Sequence, residues 1–578
     1  MNLLLTIALG IASLLPKADD TFWRDSIPQE MRQSYISYGE QYQGKPWTTL
    51  PWTVFAENKI TGNRVNYEAI CFEKRRHFAA LVMAEIMEGK GRFTPDIIDG
   101  IGSFCEETWW GIPAHYNKHI PLPEVQEVDL FNAETASMIA WTRYMLEQQF
   151  NKFSPDLCKR IDKEIERRIL KPALAKNYWW KRASMNWNPW ICSNWLTCVL
   201  VSEQDDARKS KAIEQIQKAT QAFIDAYPED GGCDEGPGYW DRAAASMFEV
   251  LRLLPDCPVD IEKVRRMAAF TYTTYIGHEY CVNFADAHGN KAMQQVNIVY
   301  PFGLWLNDKT MREFGAYLGQ QQGILQQPAK CYDKSGNFPT LGRELLFLRN
   351  IRHLIEEKPN EPQLKDSWLP NLQIMAARRG SLYVAVKGGH NGESHNHNDV
   401  GSFIIYRENE PLLIDPGVGE YTAKTFSNSR YEIWTMQSAY HNLPQINGTD
   451  QKDGKTFAAK VVQHKDGLLT LDIAGAYPAT SGVKYWRRTV SAMKSGISIT
   501  EDYELDAVTA PTRLIFMTTN PDALQHISYD KNQLEASMED LSDKLDPELQ
   551  STWGKVMYRI ILSVKSTKKK QRITYHIR

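Results

Sequence analysis

The spacing of apolar residues changes in character along the chain. In the first half, apolar positions recur every three to four residues, which predicts amphipathic helices. The clearest predicted helix runs from Tyr67 to Met87, and Gly89 supplies a C-terminal stop. Ser154-Pro155 predicts the cap and first turn of another helix that reaches Leu170. The remaining predicted helices cover residues 133–150, 194–203, 207–227, 242–254 and 261–277. Their short polar connections predict stacked helical hairpins.

The second half has the period of strands. Past a charged, proline-containing linker at residues 356–362, β-branched and aromatic residues alternate with polar ones. Glu408-Asn409-Glu410-Pro411 predicts a hairpin turn. The predicted strands cover residues 381–387, 401–407, 412–415, 455–462, 468–473, 484–492, 497–503, 513–518, 556–564 and 572–577. We therefore expect an α+β chain, with a helical domain over residues 19–360 and an antiparallel β-sandwich over residues 361–578.

Composition narrows the class of protein. A chain of 578 residues is too long for a single hydrophobic core, so we expect at least two domains. Its content of 43% hydrophobic and 24% charged residues is typical of globular proteins. A net charge of −3 without a strong basic block argues against a nucleic-acid partner. Residues 2–15 are apolar but too short to span a bilayer, so we expect a signal peptide over residues 1–18 and a secreted or periplasmic protein. The nine cysteines form no CxxC pair, which favours buried free thiols, with one or two disulfides as the alternative.

The segment from Ser394 to Phe403 has the highest density of chemically active side chains. On an extended backbone His395, His397 and Asp399 would point the same way, about 7 Å apart per step of two residues. One imidazole could then face a substrate while its neighbour faces a metal or a carboxylate. The alternative is a hydrogen-bonded start of the strand that follows.

His397, Asp415 and His441 form a second candidate set. Two imidazoles and a carboxylate are a normal ligand set for zinc, with the fourth place left to water or another group. A hydrogen-bonded cluster without metal is the alternative.

Two loops could carry polar chemistry. Asn186-Trp187-Asn188-Pro189 is expected to be a loop or helix cap, since a residue before proline is disfavoured in a helix. Its amides could cap a helix or donate to a carboxylate. The glycine-rich run from Asp230 to Asp241 could hold Tyr239 at a helix N-terminus, where the dipole favours a phenolate; a buried tyrosine that caps a turn is the alternative.

A third stretch, Cys105 to Tyr116, combines acids, tryptophans and a histidine. Glu107 and His115 could line a sugar-binding cleft, or the stretch could pack between helical hairpins.

Together these motifs resemble the heparinase II/III-like polysaccharide lyases. The likeness runs from about residue 60 to the end, and is most specific at residues 394–403, 230–240 and 440–442. It implies an incomplete α/α toroid followed by an antiparallel β-sandwich.

The resemblance also implies roles for single residues. Tyr239 would exchange the proton, His395 would be the catalytic histidine, and Asn186 or Asn188 would neutralise a uronate. His397, Asp415 and His441 would bind a structural zinc ion. The implied candidates for substrate contact are Glu107, His115, Glu235, Trp240 and Arg430.

The sequence departs from the family at two positions. Several members have histidine directly after the catalytic asparagine and tyrosine, whereas here Trp187 follows Asn186 and Trp240 follows Tyr239. A second cleft histidine would have to come from elsewhere, with His115 a candidate.

The implied function is cleavage of a uronic-acid-containing polysaccharide by β-elimination, without an organic cofactor. No Arg/Lys-rich cluster lies near the motifs, which favours a substrate with little sulfate. The alternatives are a glycoside hydrolase that uses paired carboxylates from Glu107, Asp234 and Glu235, or a carbohydrate-binding protein without catalysis.

Overall fold

The computed structural model describes residues 11, 14–290, 295–328, 340–422 and 424–578. Most of the predicted signal peptide and Cys331 lie outside these residues. The chain divides into two compact units. Unit 1 comprises residues 1–227, 241–264 and 295–361, and unit 2 comprises residues 228–240, 265–294 and 362–578. Unit 2 thus takes up two segments that precede the linker, one of which contains Tyr239.

Unit 1 is helical. Its helices are Phe22–Asp25, Gln29–Glu40, Trp52–Ile60, Val65–Glu88, Thr94–Glu106, Leu130–Met145, Glu147–Phe153, Pro155–Ile165, Lys171–Ala175, Trp187–Ser202, Asp206–Ala226, Ala244–Leu253, Val296–Leu306, Lys309–Gln321, Leu341–Leu348 and Ile351–Glu356. One further helix, Ile261–Thr273, begins in unit 1 and ends in unit 2. Within the described ranges, no helix is both long enough and apolar enough to cross a membrane.

Local signals placed several helices correctly. Gly89 ends the helix Val65–Glu88 with a left-handed φ of 68°, and the Ser154 hydroxyl accepts a hydrogen bond from the Asp156 amide as an N-cap. The predicted helix over residues 133–150 is broken, because a first helix ends at Met145 and a second begins at Glu147.

Of the two alternatives for Asn186-Trp187-Asn188-Pro189, the helix cap is closer to the structure than the loop, because Asn186 is the N-cap residue of a helix, although its side chain makes no capping hydrogen bond. A helix starts at Trp187, so Asn188 and Pro189 lie in its first turn. Proline is tolerated there because amides of the first turn have no partner inside the helix.

Unit 2 contains antiparallel sheets, and every strand pair among the described residues is antiparallel. A five-stranded meander runs in order through Asp366–Leu369, Ile374–Arg379, Leu382–Lys387, Phe403–Arg407 and Glu410–Leu413. A six-stranded sheet has the order Lys460–Lys465, Leu468–Asp472, Val483–Met493, Gly496–Leu505, Lys570–Ile577 and Ile527–Tyr529. A four-stranded sheet has the order Leu534–Asp540, Tyr558–Val564, Arg513–Thr518 and Pro444–Gln445.

Smaller elements complete unit 2. Two short ladders pair Tyr275–Gly277 with Tyr280–Cys281, and His390–Asn391 with Gly454–Ala458. Short helices cover Pro237–Trp240 and Pro547–Trp553. The predicted hairpin is confirmed: Arg407 pairs with Glu410, and Glu408 and Asn409 take the positive φ values of 55° and 66° that a two-residue turn requires.

All three large sheets share one hydrophobic core. Val384, Phe403, Trp486, Phe516 and Ile560 belong to a single buried cluster that includes side chains from each sheet. Because one face of each strand packs into this core, its apolar and polar residues alternate, and this alternation allowed the strands to be predicted from the sequence. The sequence has no such local pattern to indicate which distant strands pair with each other.

A buried charge links this core to the loops above it. Arg488 and Glu501 are both buried, and the Arg488 Nε atom donates to Glu501 Oε1 at 2.8 Å. The same guanidinium donates to the carbonyl oxygens of Gly401, at 2.8 Å, and Asn442, at 2.6 Å. Gly401 ends the histidine-rich segment and Asn442 follows His441. The sheet core therefore holds two loops that carry candidate site residues.

We expect Arg488→Met to lower the free energy of unfolding by about 3–5 kcal/mol, because Glu501 would be left buried without its ion-pair partner. The measurement is urea unfolding at neutral pH. The matched control is the adjacent exposed residue, Arg487→Met, which should change stability by no more than about 0.5 kcal/mol. Equal losses in the two variants would contradict the role of Arg488.

Candidate functional site

The histidine-rich segment is not extended. His395 adopts a left-handed φ of 53°, and turns at residues 394–395 and 400–401 flank an irregular stretch ahead of the strand Phe403–Arg407. The expected alternation of side chains is therefore wrong. Asp399 pairs with the Lys387 ammonium at 2.6 Å, while both histidines turn to one carboxylate, that of Asp286.

Asp286 is the centre of the site. Its Oδ2 atom lies 2.7 Å from His395 Nδ1 and accepts from the Tyr421 hydroxyl at 3.1 Å. Its Oδ1 atom lies 2.9 Å from His397 Nε2 and accepts from Arg430 Nη2 at 2.6 Å. One buried carboxylate thus joins four side chains that belong to two separate loops.

The electrostatics of Asp286 follow from these contacts. Burial alone raises the pKa of its carboxyl, but hydrogen bonds from His395 and His397 and the charge of Arg430 outweigh burial and hold that pKa below its usual range. Asp286 is therefore an anion, and a carboxylate can only accept hydrogen bonds. Every group that contacts it must present a proton.

His395 is held as a cation. Burial lowers the pKa of its imidazole, but hydrogen bonding to Asp286 and the proximity of Glu235 raise it to about 9. The Glu235 carboxylate forms an ion pair with this ring, with Oε1 3.4 Å from His395 Nε2. At neutral pH the ring is protonated, so it can supply charge or a proton but is not a base.

Tyr239 lies directly beside this imidazole. The two ring centroids are 4.3 Å apart with 33° between the planes, and the Tyr239 hydroxyl is 2.8 Å from that of Tyr421. Tyr239 is half-buried, in the short helix Pro237–Trp240. The structure therefore brings together Tyr239 and His395, which the sequence placed on distant segments.

His397, Asp415 and His441 converge at a second, fully buried position. One donor atom from each lies within 4.8 Å of the other two. His441 Nε2 lies 3.0 Å from the Thr435 carbonyl oxygen, and His441 Nδ1 lies 2.9 Å from Asp415 Oδ2. Because a carbonyl oxygen only accepts, the Nε2 atom of His441 carries a proton. Its Nδ1 atom faces the Asp415 carboxylate oxygen, and a proton or a metal cation must lie between these two atoms.

His397 supports the same interpretation. Its Nε2 atom faces the Asp286 carboxylate, while its buried Nδ1 atom has no hydrogen-bond partner. Burial lowers the pKa of this imidazole, which favours the neutral form that binds metals. In both histidines the second ring nitrogen contacts an oxygen, as is usual for metal ligands.

The two candidate amides, Asn186 and Asn188, both lie in unit 1, and they differ in whether the side chain makes hydrogen bonds within the protein. The Asn188 amide is fully buried, donates to the Ala219 carbonyl at 2.9 Å and accepts from the Cys192 thiol at 3.7 Å. Asn188 thus joins two helices and is not placed to bind a substrate. For Asn186, at the N-terminus of the same helix, no side-chain hydrogen bond is found among the described residues.

Several predicted substrate contacts have structural roles instead. Trp240 is fully buried and donates to the Met267 carbonyl at 2.7 Å, so the expectation for it is wrong. Glu107 is paired with Lys74 at 2.8 Å and Arg75 at 2.7 Å in the helical unit, and is likewise not free to bind a substrate. Besides Asp286, Arg430 donates to the Asn396 and Thr425 carbonyls, so it braces the loop rather than offering a free charge.

His115 is half-buried in unit 1. Its Nδ1 atom lies 2.7 Å from Asp129 Oδ2, and its ring packs against Trp187 at 4.7 Å between centroids. None of the eight cysteines in the described part of the chain forms a disulfide, as the favoured alternative predicted, and seven of them are buried.

Sequence reasoning missed Asp286 and Tyr421. Asp286 stands in Phe284-Ala285-Asp286-Ala287, where a single acid in an apolar run is a signal of a satisfied buried charge. Ala285 also has a positive φ of 65°, a strain that clusters at functional sites. Tyr421 has no local signal, because its role depends on two residues more than 130 positions away.

Comparisons with known proteins give one family match and a set of similar folds. Residues 361–523 match the family model described as "Heparinase II/III-like, C-terminal". No curated protein sequence matches the chain.

Solved structures share the fold. A crystal structure of heparinase III is 13% identical with a TM-score of 0.62, over 95% of this chain and 84% of that one. Heparan sulfate lyase HepC from Pedobacter heparinus is 12% identical with a TM-score of 0.55, over 98% and 85%. A chondroitin AC lyase mutant from Streptomyces coelicolor A3 is 10% identical with a TM-score of 0.52, over 95% and 82%. At this identity the likeness establishes the fold alone.

Asp234, next to Glu235, generates a prediction about pH. Burial, together with the charges of Glu235 and Glu393, raises the pKa of its carboxyl from 3.8 to about 6. The folded state therefore holds this proton more tightly than the unfolded chain, and stability is lost as pH rises from about 4 to about 6. Asp234→Asn cannot ionise, so between pH 4 and pH 7 it should gain about 1–3 kcal/mol relative to wild type.

Urea unfolding of both proteins at the two pH values tests this. Asp466→Asn, in an exposed turn, is the control and should follow wild type at both pH values. A constant difference between Asp234→Asn and wild type would contradict the assignment.

Proposed function

We propose that the chain, whose residues 361–523 match the heparinase II/III-like C-terminal family model, is a polysaccharide lyase that cleaves uronic-acid-containing glycans by β-elimination. The observation that carries this proposal is the pair Tyr239 and His395. A phenol that can act as a base lies 4.3 Å, between ring centroids, from an imidazole held as a cation. A cation next to a tyrosine favours the phenolate.

The proposed reaction removes the C5 proton of the uronate. The Tyr239 phenolate forms an O–H bond as the C5–H bond breaks, and negative charge develops on the uronate carboxylate as an enolate. The C4–O bond then breaks, and the departing oxygen takes a proton from Tyr239 or from the His395 imidazolium. The product carries a C4–C5 double bond. General acid–base catalysis of this kind contributes about 10²–10⁴-fold in rate.

We propose Asn186, rather than Asn188, as the amide that neutralises the uronate carboxylate. The support is the different use of the two side chains: Asn188 is committed to Ala219 and Cys192, whereas Asn186 is not. A donor aimed at developing charge is worth about 2.7–4 kcal/mol of barrier.

The substrate class is proposed from chemistry and from fold neighbours. Structures similar to this one are heparinase III, a heparan sulfate lyase and a chondroitin AC lyase, and these names support a glycosaminoglycan-like, uronate-containing substrate for this chain. The paired carboxylates that a glycoside hydrolase needs find less support, because Glu107 is paired with Lys74 and Arg75, and Glu235 faces His395.

We propose that His397, Asp415 and His441 hold one zinc ion. The support is the buried Nδ1 atom of His397 without a partner and the carboxylate-facing Nδ1 atom of His441. When bound, the ion would supply a fixed positive charge that joins three loops. The residues themselves orient the site: His397 holds Asp286 Oδ1, and Asp286 Oδ2 in turn orients His395.

Two further proposals follow from the family. The helical unit would be the incomplete α/α toroid, and the sheets of unit 2 the β-sandwich. The chain would be exported, as the apolar N-terminal residues suggest.

We expect Tyr239→Phe to lower kcat for unsaturated uronate formation at least about 10²-fold with KM little changed, because it removes the proton-exchanging group and leaves the ring. The measurement is ultraviolet absorbance of the C4–C5 double bond during incubation with a panel of uronate polysaccharides. Tyr485→Phe, on a strand of the six-stranded sheet, is the control with unchanged rate. New saturated reducing ends without absorbance would instead identify a hydrolase.

For the metal site, elemental analysis of the purified protein should find about one zinc per chain, as expected for one set of three protein ligands. His397→Ala should lose most of this zinc and unfold at a lower temperature, and a chelator should lower the melting temperature of wild type but not of the variant. His464→Ala, on an outer strand of the same unit, should keep its zinc. Full zinc content in His397→Ala would overturn the site.

A further inference from the structure

We infer that Tyr421 is a positioning residue for Tyr239: its hydroxyl donates to Asp286 while Tyr239 is a phenol and turns to donate to Tyr239 when Tyr239 becomes a phenolate. This inference rests on the proposed function, in which Tyr239 is the base. It assigns a role to a residue that neither the sequence motifs nor the family likeness identified.

The direction of each hydrogen bond follows from the carboxylate. Asp286 can only accept, so the Tyr421 O–H must point at Asp286 Oδ2, 3.1 Å away. The Tyr421 oxygen is then left as an acceptor for the Tyr239 hydroxyl at 2.8 Å. In this state the hydrogen of Tyr239 points at Tyr421, and the lone pairs of Tyr239 are directed elsewhere.

Loss of the Tyr239 proton reverses the second bond. A phenolate cannot donate, so two oxygens 2.8 Å apart would face each other without a proton between them. Tyr421 has a single O–H and can restore the contact only by rotating it from Asp286 to Tyr239. No covalent bond to hydrogen is made or broken at Tyr421 in this rotation.

Asp286 can release that hydrogen bond without becoming unpaired. The contact from Tyr421 is the longest of its four, at 3.1 Å, whereas His395, His397 and Arg430 lie at 2.7, 2.9 and 2.6 Å. Oδ2 keeps the His395 proton and Oδ1 keeps two donors. A hydrogen bond to a phenolate is also stronger than one between neutral groups. The rotation therefore favours the basic form of Tyr239.

The charged groups around the hydroxyls of Tyr239 and Tyr421 either favour or disfavour the phenolate form of Tyr239. Asp286 disfavours a second negative charge nearby, and Glu235 does the same from behind His395. The His395 imidazolium, against the Tyr239 ring, and Arg430, on the far oxygen of Asp286, oppose them. Because Tyr421 is neutral, removal of its hydroxyl leaves these charged groups unchanged and deletes one donor beside Tyr239.

The test is Tyr421→Phe, which deletes the donor and keeps the ring that packs edge-on against Phe426 at 5.2 Å. The first measurement is a tyrosinate titration by ultraviolet difference absorbance, with Tyr239→Phe used to identify the signal of Tyr239. We expect that ionisation to move up by about one pH unit in Tyr421→Phe, which is a tenfold change in the equilibrium. Tyr485→Phe is the control, and thermal melting verifies folding of each variant.

The second measurement is the pH profile of kcat/KM. Its ascending limb should move up by the same unit, so kcat/KM at pH 7 should fall about tenfold while KM changes little. A merely structural loss would lower the rate at all pH values without moving the limb. An unmoved Tyr239 ionisation and an unmoved limb would overturn the inference.

The titration needs no substrate, which separates the two proposals. If the ionisation of Tyr239 moves in Tyr421→Phe but no polysaccharide yields an unsaturated product, the role of Tyr421 stands and the lyase assignment fails. If product forms and neither the ionisation nor the limb moves, the lyase assignment stands and the role of Tyr421 fails.

Discussion

The site depends on one buried anion. Asp286 is removed from water, and a carboxylate in that environment is costly unless every lone pair has a donor. His395, His397, Tyr421 and Arg430 meet that requirement together. Because each of them must present a proton to the same group, the requirement also determines which ring nitrogens are protonated and which way the Tyr421 hydroxyl points.

This constraint gives the two neighbouring histidines different chemistry. His395 is bracketed by Asp286 and Glu235, which together outweigh the effect of burial and keep it charged. His397 is buried more completely and shares Asp286 with other donors, so burial prevails and the neutral ring can bind a metal. Two residues of the same type, two positions apart, thus differ in charge: His395 is held as a cation, whereas burial favours the neutral form of His397.

The sheet core holds these loops in place from below. Arg488 binds the carbonyls of Gly401 and Asn442, and the Asn442 side chain donates to Phe403 and Ile414 and accepts from Met517. These contacts join the segments that carry His395, Asp415 and His441. A substitution in the core can therefore disturb the site without contacting it. Both stability and activity must be measured to distinguish this indirect effect from a direct effect on the chemistry.

By itself, the sequence determined the helical or sheet character of each half, the helix stop at Gly89 and the hairpin at Glu408-Asn409. It also predicted Tyr239, His395 and the three metal-ligand candidates as site residues. These features depend on local periodicity, turn chemistry and short motifs, which neighbouring residues decide. Only the tertiary structure decided that the histidine segment is turned rather than extended, that Asn188 and Trp240 are structural, and that Asp286 and Tyr421 belong to the site. Those outcomes depend on contacts between different elements of the fold, from 27 positions apart for Trp240 and Met267 to 135 for Asp286 and Tyr421. Burial and the need to pair a charge act across such distances and leave no pattern in the local sequence.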